Sequence, residues 1–290
     1  MTAPRHARRQ FDDDRWEPAA TRFEPEPDLD TSLEPQWSTY VDATRGPDPV
    51  PDWVVTDPRA VDLDRGVMKT GKEADVSLIE RSVPGHPRSA TALMAVKRYR
   101  SAEHRMFHRD AGYLEGRRVR RSREMRAMET RTAFGRELIA GQWAAAEFAV
   151  LSRLWQVGAA VPYPVQVLGT ELMMEFIGSP DGVAAPRLAQ VRPDRMTAED
   201  LYSQLRRVLR QLVAAGYAHG DLSAYNVLVD DGRLVLIDLP QAVDVVGNPQ
   251  GFQFLQRDCL NICRWFAGHG VSADPTDLVE LLLTSMPGNA

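Results

Sequence analysis

The chain has 290 residues, a formal net charge of −5 and 43% hydrophobic residues. That is enough for one two-lobed domain plus a tail, and the charge excludes a global attraction to nucleic acid or membrane. No apolar run approaches the roughly 20 residues that span a bilayer. The opening MTAPRHARRQFDDD has no apolar stretch behind its basic residues, so no secretory signal is expected and the setting expected is cytoplasmic.

Residues 1–55 are rich in Pro, Asp and Glu and sustain no apolar periodicity, which reads as a disordered tail carrying Trp16, Trp37 and Trp53. From about residue 56 the chain turns globular. Val67–Ile79 reads as strand, turn and strand with Gly71 at the turn, and Leu93–Tyr99 as a strand carrying Lys97. The stretch from Arg98 to Arg136 holds twelve arginines and reads as a basic insert over about 100–136. A helix is predicted from Glu137 to Val157, with Ile139, Trp143, Ala146, Val150 and Leu154 at helical spacing. Two strands, Pro164–Leu168 and Glu171–Phe176, lead to a break at Gly178-Ser179-Pro180-Asp181-Gly182. Helices follow at 198–215, 252–269 and 276–284, with a hairpin between the first two. The expected fold is α+β and two-lobed, protein-kinase-like: a β-rich N-lobe over 56–178 and a compact, mostly helical C-lobe over 179–290. Cys259 and Cys263 lie one helical turn apart without a second pair, as small core residues do in a reducing compartment.

The hairpin carries most of the chemistry. In HGDLSAYNVLVDDGRLVLIDLP, from His219 to Pro240, strands Asn226–Val229 and Leu234–Ile237 flank the turn residues Asp230-Asp231-Gly232. Folding the chain back brings Asn226 near Asp238, with Asp221 in the loop before them. Hard oxygen donors gathered in this way suit Mg²⁺ and phosphate chemistry. Asn226 and Asp238 are the expected metal ligands, and Asp221 the group that accepts the proton of an attacking hydroxyl or orients it. His219 reads as a structural loop residue, and Ser223 either contacts phosphate or caps the loop.

The rest of a nucleotide site has candidates too. The chain has 32 Arg and only three lysines, Lys69, Lys72 and Lys97, all in one segment. A compact ammonium reaches a phosphate or carboxylate inside a pocket where the planar Arg fork fits poorly. Lys97 followed by Glu147 has the order of a lysine–glutamate pair that grips α- and β-phosphates. Gly71-Lys72-Glu73-Ala74 forms a turn over the phosphates, though it is not a Walker loop. Met174, Glu175, Phe176 and Ile177 stand where adenine would pair with backbone, with Met174 at the back of the pocket.

With these residues placed, the chain resembles the RIO family of atypical protein kinases, RIO1-type branch, over about residues 67–269. The family's S-T-G-K-E-A loop appears as Lys69 to Ala74, its strand lysine in Ala95-Val96-Lys97 and its helix glutamate as Glu147. The hinge L-M-E-F-I-G corresponds to Met173–Gly178, H-x-D-L-S-x-x-N to His219–Asn226, and I-D-x-x-Q to Ile237–Gln241. Arg257-Asp258-Cys259-Leu260-Asn261-Ile262 is a further family-like run. Two departures stand out: Lys69 where serine is usual, and Gly220 before Asp221. The resemblance implies ATP- and Mg²⁺-dependent phosphorylation of serine, or an ATPase cycle in which phosphate passes to Asp238 itself, with catalytic roles for Lys97, Asp221 and Asp238.

Only 52 residues follow Asp238, and D-F-G is replaced by Asp238-Leu239-Pro240. The activation segment and large peptide-binding subdomain of ordinary protein kinases are therefore not expected. The residues alone leave two other readings open: a small-molecule kinase of the aminoglycoside or choline type, and an ATP-gated scaffold in ribosome assembly. The expected partners are ATP, a protein substrate (the chain itself included) and, through the basic insert, a ribosomal particle or RNA.

Overall fold

Alternating side chains organise the first half of the chain into a sheet with two differently used faces. The computed structural model describes residues 34–85, 91–100 and 133–286, with side chains from 138 onward in the last stretch. Strands β1 (Gln36–Trp37), β2 (Thr44–Arg45), β3 (Val61–Thr70), β4 (Ala74–Ser82), β5 (Thr91–Tyr99), β6 (Pro164–Leu168) and β7 (Glu171–Glu175) make one antiparallel sheet in the order β1-β3-β4-β5-β7-β6-β2. One face presents Ala74, Tyr99 and Leu172 to helix α1 (Ala133–Gln156). The other presents Ile79, Met94, Val96 and Met173, packed with Tyr40, Val54 and Tyr163.

That second face explains a difference from the sequence reading. Residues 34–55, expected to belong to a disordered tail, are folded: β1 pairs with β3, β2 pairs with β6, and Tyr40 and Val54 are buried. A sheet face bearing Ile79, Met94 and Val96 needs an apolar cover, and this short, polar-looking segment supplies it. Residues 1–33, with Trp16, lie outside the described residues, as do 101–132, which hold most of the expected basic insert.

β3 also starts earlier than expected, at Val61. Its polar face hid it from a hydrophobicity pattern. Asp62 takes a bidentate pair from the fully buried Arg81, Nε–Oδ1 2.7 Å and Nη2–Oδ2 2.8 Å, and Gln166 Oε1 accepts from Arg81 Nη1 at 3.0 Å. Its hydrogen-bond partners among the described residues all come from the sheet, and its guanidinium also lies over the Tyr40 ring, 5.7 Å from the centroid.

In α1 the buried stripe Ala140, Ala144, Glu147, Leu151 and Leu154 is flanked by the buried Ala146, Phe148 and Val150, with Ile139 and Trp143 only half-buried at its edge. The 4-3-4-3 spacing puts Glu147 in the middle of an apolar face. A carboxylate there has to find a partner inside the fold.

After the hinge the C-lobe is built on α2 (Arg195–Ala214), α3 (Gly251–Ala267) and α4 (Pro275–Leu283). Asp194 caps α2 by accepting from Thr197 N–H at 2.8 Å, and Asp274 caps α4 from Thr276 N–H at 2.7 Å, with Pro275 in the first turn. Leu201, Leu205, Leu212, Ile262, Phe266 and Leu282 fill the space between these helices. Cys259 and Cys263 are buried free thiols in the same core, and burial pushes the Cys259 thiol up to about 12. Two further ladders complete the lobe: β8 (Tyr217–Ala218) pairs with β11 (Val243–Asp244), and β9 (Val227–Asp230) with β10 (Arg233–Leu236). Among the described residues no helix is long and apolar enough to cross a membrane.

Candidate active site

The β9–β10 hairpin closes through a two-residue turn, Asp231-Gly232, with φ of 47° and 76°. Positive φ at both central positions is the geometry that matches strand twist, and Asp-Gly suits it. The closure sets Ile237 N–H on the Asn226 carbonyl at 3.0 Å. Asn226 thus stands at the entrance to the hairpin and Asp238 at its exit. Asp238 itself has φ 66°, a left-handed conformation that an Asp tolerates better than most residues and that accumulates at functional sites.

Three elements converge on one ammonium. Lys97 Nζ, on β5, lies 2.6 Å from Asp238 Oδ1 and 2.9 Å from Glu147 Oε2 on α1. Tyr99, two residues along β5 and on the same face, donates its hydroxyl to Glu147, and Leu239 N–H donates to Glu147 Oε1 at 2.9 Å. Burial alone would lower the Lys97 ammonium, but Glu147 and Asp238 outweigh it and raise its pKa. Burial alone would likewise lift the Asp238 carboxyl; Lys97, with smaller help from Lys69 and His219, holds it below the usual carboxylate range. Lys97 therefore stays charged and Asp238 ionised, although both are inside the protein.

The backbone of the loop before the hairpin is held by α3. Asp258, buried, accepts from Gly220 N–H at 2.8 Å and from Leu222 N–H at 2.9 Å, one bond to each carboxylate oxygen. Arg257 donates to the Gly220 carbonyl. Gly220 has φ +84° and a side-chain carbon there would sit 2.3 Å from the Gln241 carbonyl oxygen, so glycine is the residue this approach permits. His219 is fully buried, its Nε2 at 3.1 Å from the Ile237 carbonyl, and its Nδ1 has no partner among the described residues. Sequence reasoning passed over Asp258 and Tyr99 as working residues. The signal for Asp258 was an acid flanked by Cys259 and Ile262 on an apolar helix face.

Asp221 is exposed at the cleft, and its carbonyl accepts from Asn226 Nδ2 at 2.8 Å. That bond fixes the amide of the buried Asn226 and leaves its Oδ1 without a donor among the described residues. Asp238 Oδ2 is equally uncommitted, and its side chain is 37% exposed. Two hard oxygens from Asn226 and Asp238 fit Mg²⁺, which takes few protein ligands and completes its shell with water and phosphate oxygens. No group of three or more His, Cys, Asp or Glu able to hold a metal occurs among the described residues.

The remaining predicted residues are placed as follows. Gly71 N–H bonds to the Ala74 carbonyl at 3.0 Å, closing the β3–β4 turn. Lys72 projects to solvent, whereas Glu73 is half-buried; burial, then Asp238, Asp221 and Glu147, raise its pKa against the opposing pull of Lys97. At the hinge Met174 and Glu175 end β7, and Glu175 turns its carboxylate to Tyr163 N–H at 3.0 Å. The Ile177 carbonyl accepts from Ala185 N–H at 3.0 Å, while the Ile177 N–H has no acceptor among the described residues. Ser223 caps the 3₁₀ turn Ala224–Asn226, accepting from Tyr225 N–H at 3.3 Å.

A curled antiparallel sheet with one packed helix, hinged to a helical lobe that offers Asp221, Asn226 and Asp238 from a hairpin, is the two-lobed architecture of the protein kinases. Within it, the RIO domain matches residues 86–278, and the chain belongs to that family. It is 41% identical over 140 residues to the RIO-type serine/threonine-protein kinase Rio1 of Haloferax volcanii, covering 48% of this chain and 47% of that one. It is 31% identical over 215 residues to the human serine/threonine-protein kinase RIO1, covering 71% of this chain and 34% of the relative. Among solved structures, the Rio2 kinase from Chaetomium thermophilum shares the fold with a TM-score of 0.54 at 20% identity, over 86% of this chain and 65% of that one. The same kinase as an ADP/Mg²⁺-phosphoaspartate complex gives 0.52 at 19%, over 84% and 66%. The chain thus spans about half the length of the Haloferax relative and less of the human one.

Proposed function

We propose that the chain is an ATP- and Mg²⁺-dependent atypical serine/threonine protein kinase of the RIO type. The observation that carries this reading is the single buried ammonium of Lys97 shared between Glu147 and Asp238. An ammonium kept charged at the back of a cleft, beside an ionised carboxylate and a fixed amide, is suited to gripping a polyphosphate. The Ile177 N–H at the hinge is a free donor for an adenine ring nitrogen, with Met174 at the back of the pocket. Glu73, Lys72 and the turn at Gly71 lie over the phosphate position, and Ser223 stays with the loop it caps.

In this reading Lys97 holds the α- and β-phosphates, and Glu147, itself fixed by Tyr99 and Leu239, keeps Lys97 in place. Mg²⁺ held by Asn226 and Asp238 would neutralise charge on the phosphate oxygens. Asp221 accepts the proton of the attacking serine hydroxyl as its oxygen bonds to the γ-phosphorus and ADP leaves. Asp258 holds the Asp221 backbone in register with the transfer. The uncommitted Oδ2 of the ionised Asp238 favours one further route, an ATPase cycle. There the carboxylate oxygen attacks the γ-phosphorus, ADP departs, and water later hydrolyses the acyl phosphate. The Chaetomium Rio2 kinase, solved as a phosphoaspartate complex, supports that route by family likeness. The acceptor is a serine of a partner protein or of this chain, and the cytoplasm is the compartment proposed.

The test is turnover of γ-labelled ATP with Mg²⁺ by the wild type, Asp221→Ala and Asp238→Ala. Loss of transfer in both variants is expected. An acid-stable label on serine that disappears in Asp221→Ala supports the kinase route, and a label labile to both acid and base that is absent from Asp238→Ala supports the aspartyl-phosphate route. Full activity in both variants would remove the assignment.

A further inference from the structure

Lys69 stands where the family's loop motif has serine, and the sheet register shows what it faces. Lys69 on β3 pairs directly with Val76 on β4, and Val76 with Lys97 on β5. Direct cross-strand partners project to the same face. Lys69 is therefore on the cleft face, two strands from Lys97, a separation of roughly 10 Å at ordinary strand spacing. Arg187 belongs to the other lobe. Its loop is clipped to the catalytic hairpin by a bridge between Arg187 and Leu228 and by Val229 N–H on the Pro186 carbonyl at 2.9 Å. Its guanidinium donates to the Tyr225 carbonyl at 2.9 Å, immediately before the metal-ligand candidate Asn226.

Neither cation forms an ion pair with a carboxylate among the described residues, although 35 basic and 40 acidic residues make partners abundant in this chain. The Lys69 side chain is exposed, and its ammonium is shifted down by partial desolvation and then by Arg187, against the pull of Asp238. Two like charges presented from the two lobes beside Lys97 and Asn226 repel weakly across solvent and are drawn to an anion placed between them.

We propose that Lys69 and Arg187 form a cross-lobe clamp on the phosphate chain of the bound nucleotide, in addition to the grip of Lys97. This rests on the nucleotide-binding reading above. The ligand chemistry is a polyphosphate, recognised by one ammonium from above and the open N–H groups of one guanidinium from below.

Calorimetric titration of the full chain tests this, using ATP, adenosine and inorganic tripolyphosphate against the wild type, Lys69→Ser and Arg187→Leu. Each variant is expected to bind ATP and tripolyphosphate roughly tenfold more weakly, the loss of one charge-assisted contact. Adenosine affinity is expected to stay unchanged. Without ligand, Lys69→Ser, which breaks no hydrogen bond among the described residues, is expected to melt at or above the wild-type temperature; a lower melting temperature for Lys69→Ser would contradict the proposed repulsion. Unchanged affinity for ATP and tripolyphosphate in both variants would overturn the clamp, as would an equal loss for adenosine, which would mean a deformed pocket. If the wild type bound tripolyphosphate through these two residues but neither ATP nor adenosine, the clamp would stand and the nucleotide reading would fall.

Discussion

Arg81 and Lys97 are buried cations on opposite faces of the same sheet, and they are held in opposite ways. Arg81 is 0% exposed, and all its polar partners, Asp62, Gln166 and Met173, belong to strands of that sheet. Lys97 takes one partner from α1 and one from the far lobe. A planar fork with bidentate partners braces a single layer and has nothing left to offer a ligand. In the proposed reading, a point charge shared by three elements can exchange one partner for a phosphate. In that reading, where the partners come from, rather than burial, separates a structural cation from a working one.

The comparison breaks most visibly on stability. Arg81→Met leaves the Asp62 carboxylate, only 11% exposed, without its guanidinium. Removing one member of a buried pair costs roughly 3–5 kcal/mol, which for a domain of this size lowers the melting temperature on the order of 10 °C. Differential scanning calorimetry should show this fall, while ATP turnover per folded molecule stays close to wild type. An unchanged melting temperature would mean that Arg81 is not the brace described.

A smaller effect is expected at Asp258, the C-lobe counterpart of such a brace. Asp258→Asn keeps the shape but aims an amide N–H₂ at one of the two backbone donors, Gly220 N–H or Leu222 N–H. The loss is about 2 kcal/mol by the cost of an unsatisfied buried group. Because these donors flank Asp221, kcat should fall by more than the ATP affinity does. Equal changes in both, measured by steady-state kinetics and titration, would make Asp258 a merely structural acid.

The smallest effect concerns Glu73 and depends on pH. Its folded-state pKa is raised above the ordinary 4.5, chiefly by burial and then by Asp238. The favourable protonated form is fully available below 4.5 and is lost as pH rises through the folded value, so ionised Glu73 destabilises the neutral-pH protein. Glu73→Gln should therefore raise the melting temperature slightly at pH 7.5 and leave it unchanged near pH 4. A gain of equal size at both values would remove the electrostatic explanation.

The hairpin was legible in the sequence because its determinants are local. Asp231-Gly232 asks for a two-residue turn, and the turn fixes how Asn226 and Asp238 meet. Helix α1 was legible as a helix, and Ala146, Val150 and Leu154 of its expected apolar stripe are buried; Ile139 and Trp143 are only half-buried, and the buried face widens over Ala140, Ala144 and Leu151 to take in Glu147. The first half of β3 was hidden because Asp62, Asp64 and Arg65 are polar. Their pairing with Arg81, Arg98 and Glu80 depends on neighbours 15 to 34 residues away in sequence. Residues 34–55 were hidden for a similar reason: only the sheet they cover shows that Tyr40 and Val54 are core. Asp258 needed the catalytic loop to be placed above it before its two bonds could be seen.

The most direct measurement of the contrast between the two cations is ADP formation by Lys97→Met at saturating ATP and Mg²⁺, normalised to folded protein and run beside Arg81→Met. A loss of at least about 100-fold is expected for Lys97→Met, on the scale of removing one preorganised electrostatic contact, with Arg81→Met near wild type per folded molecule. Turnover retained by Lys97→Met, or an equal loss in both variants, would contradict that contrast.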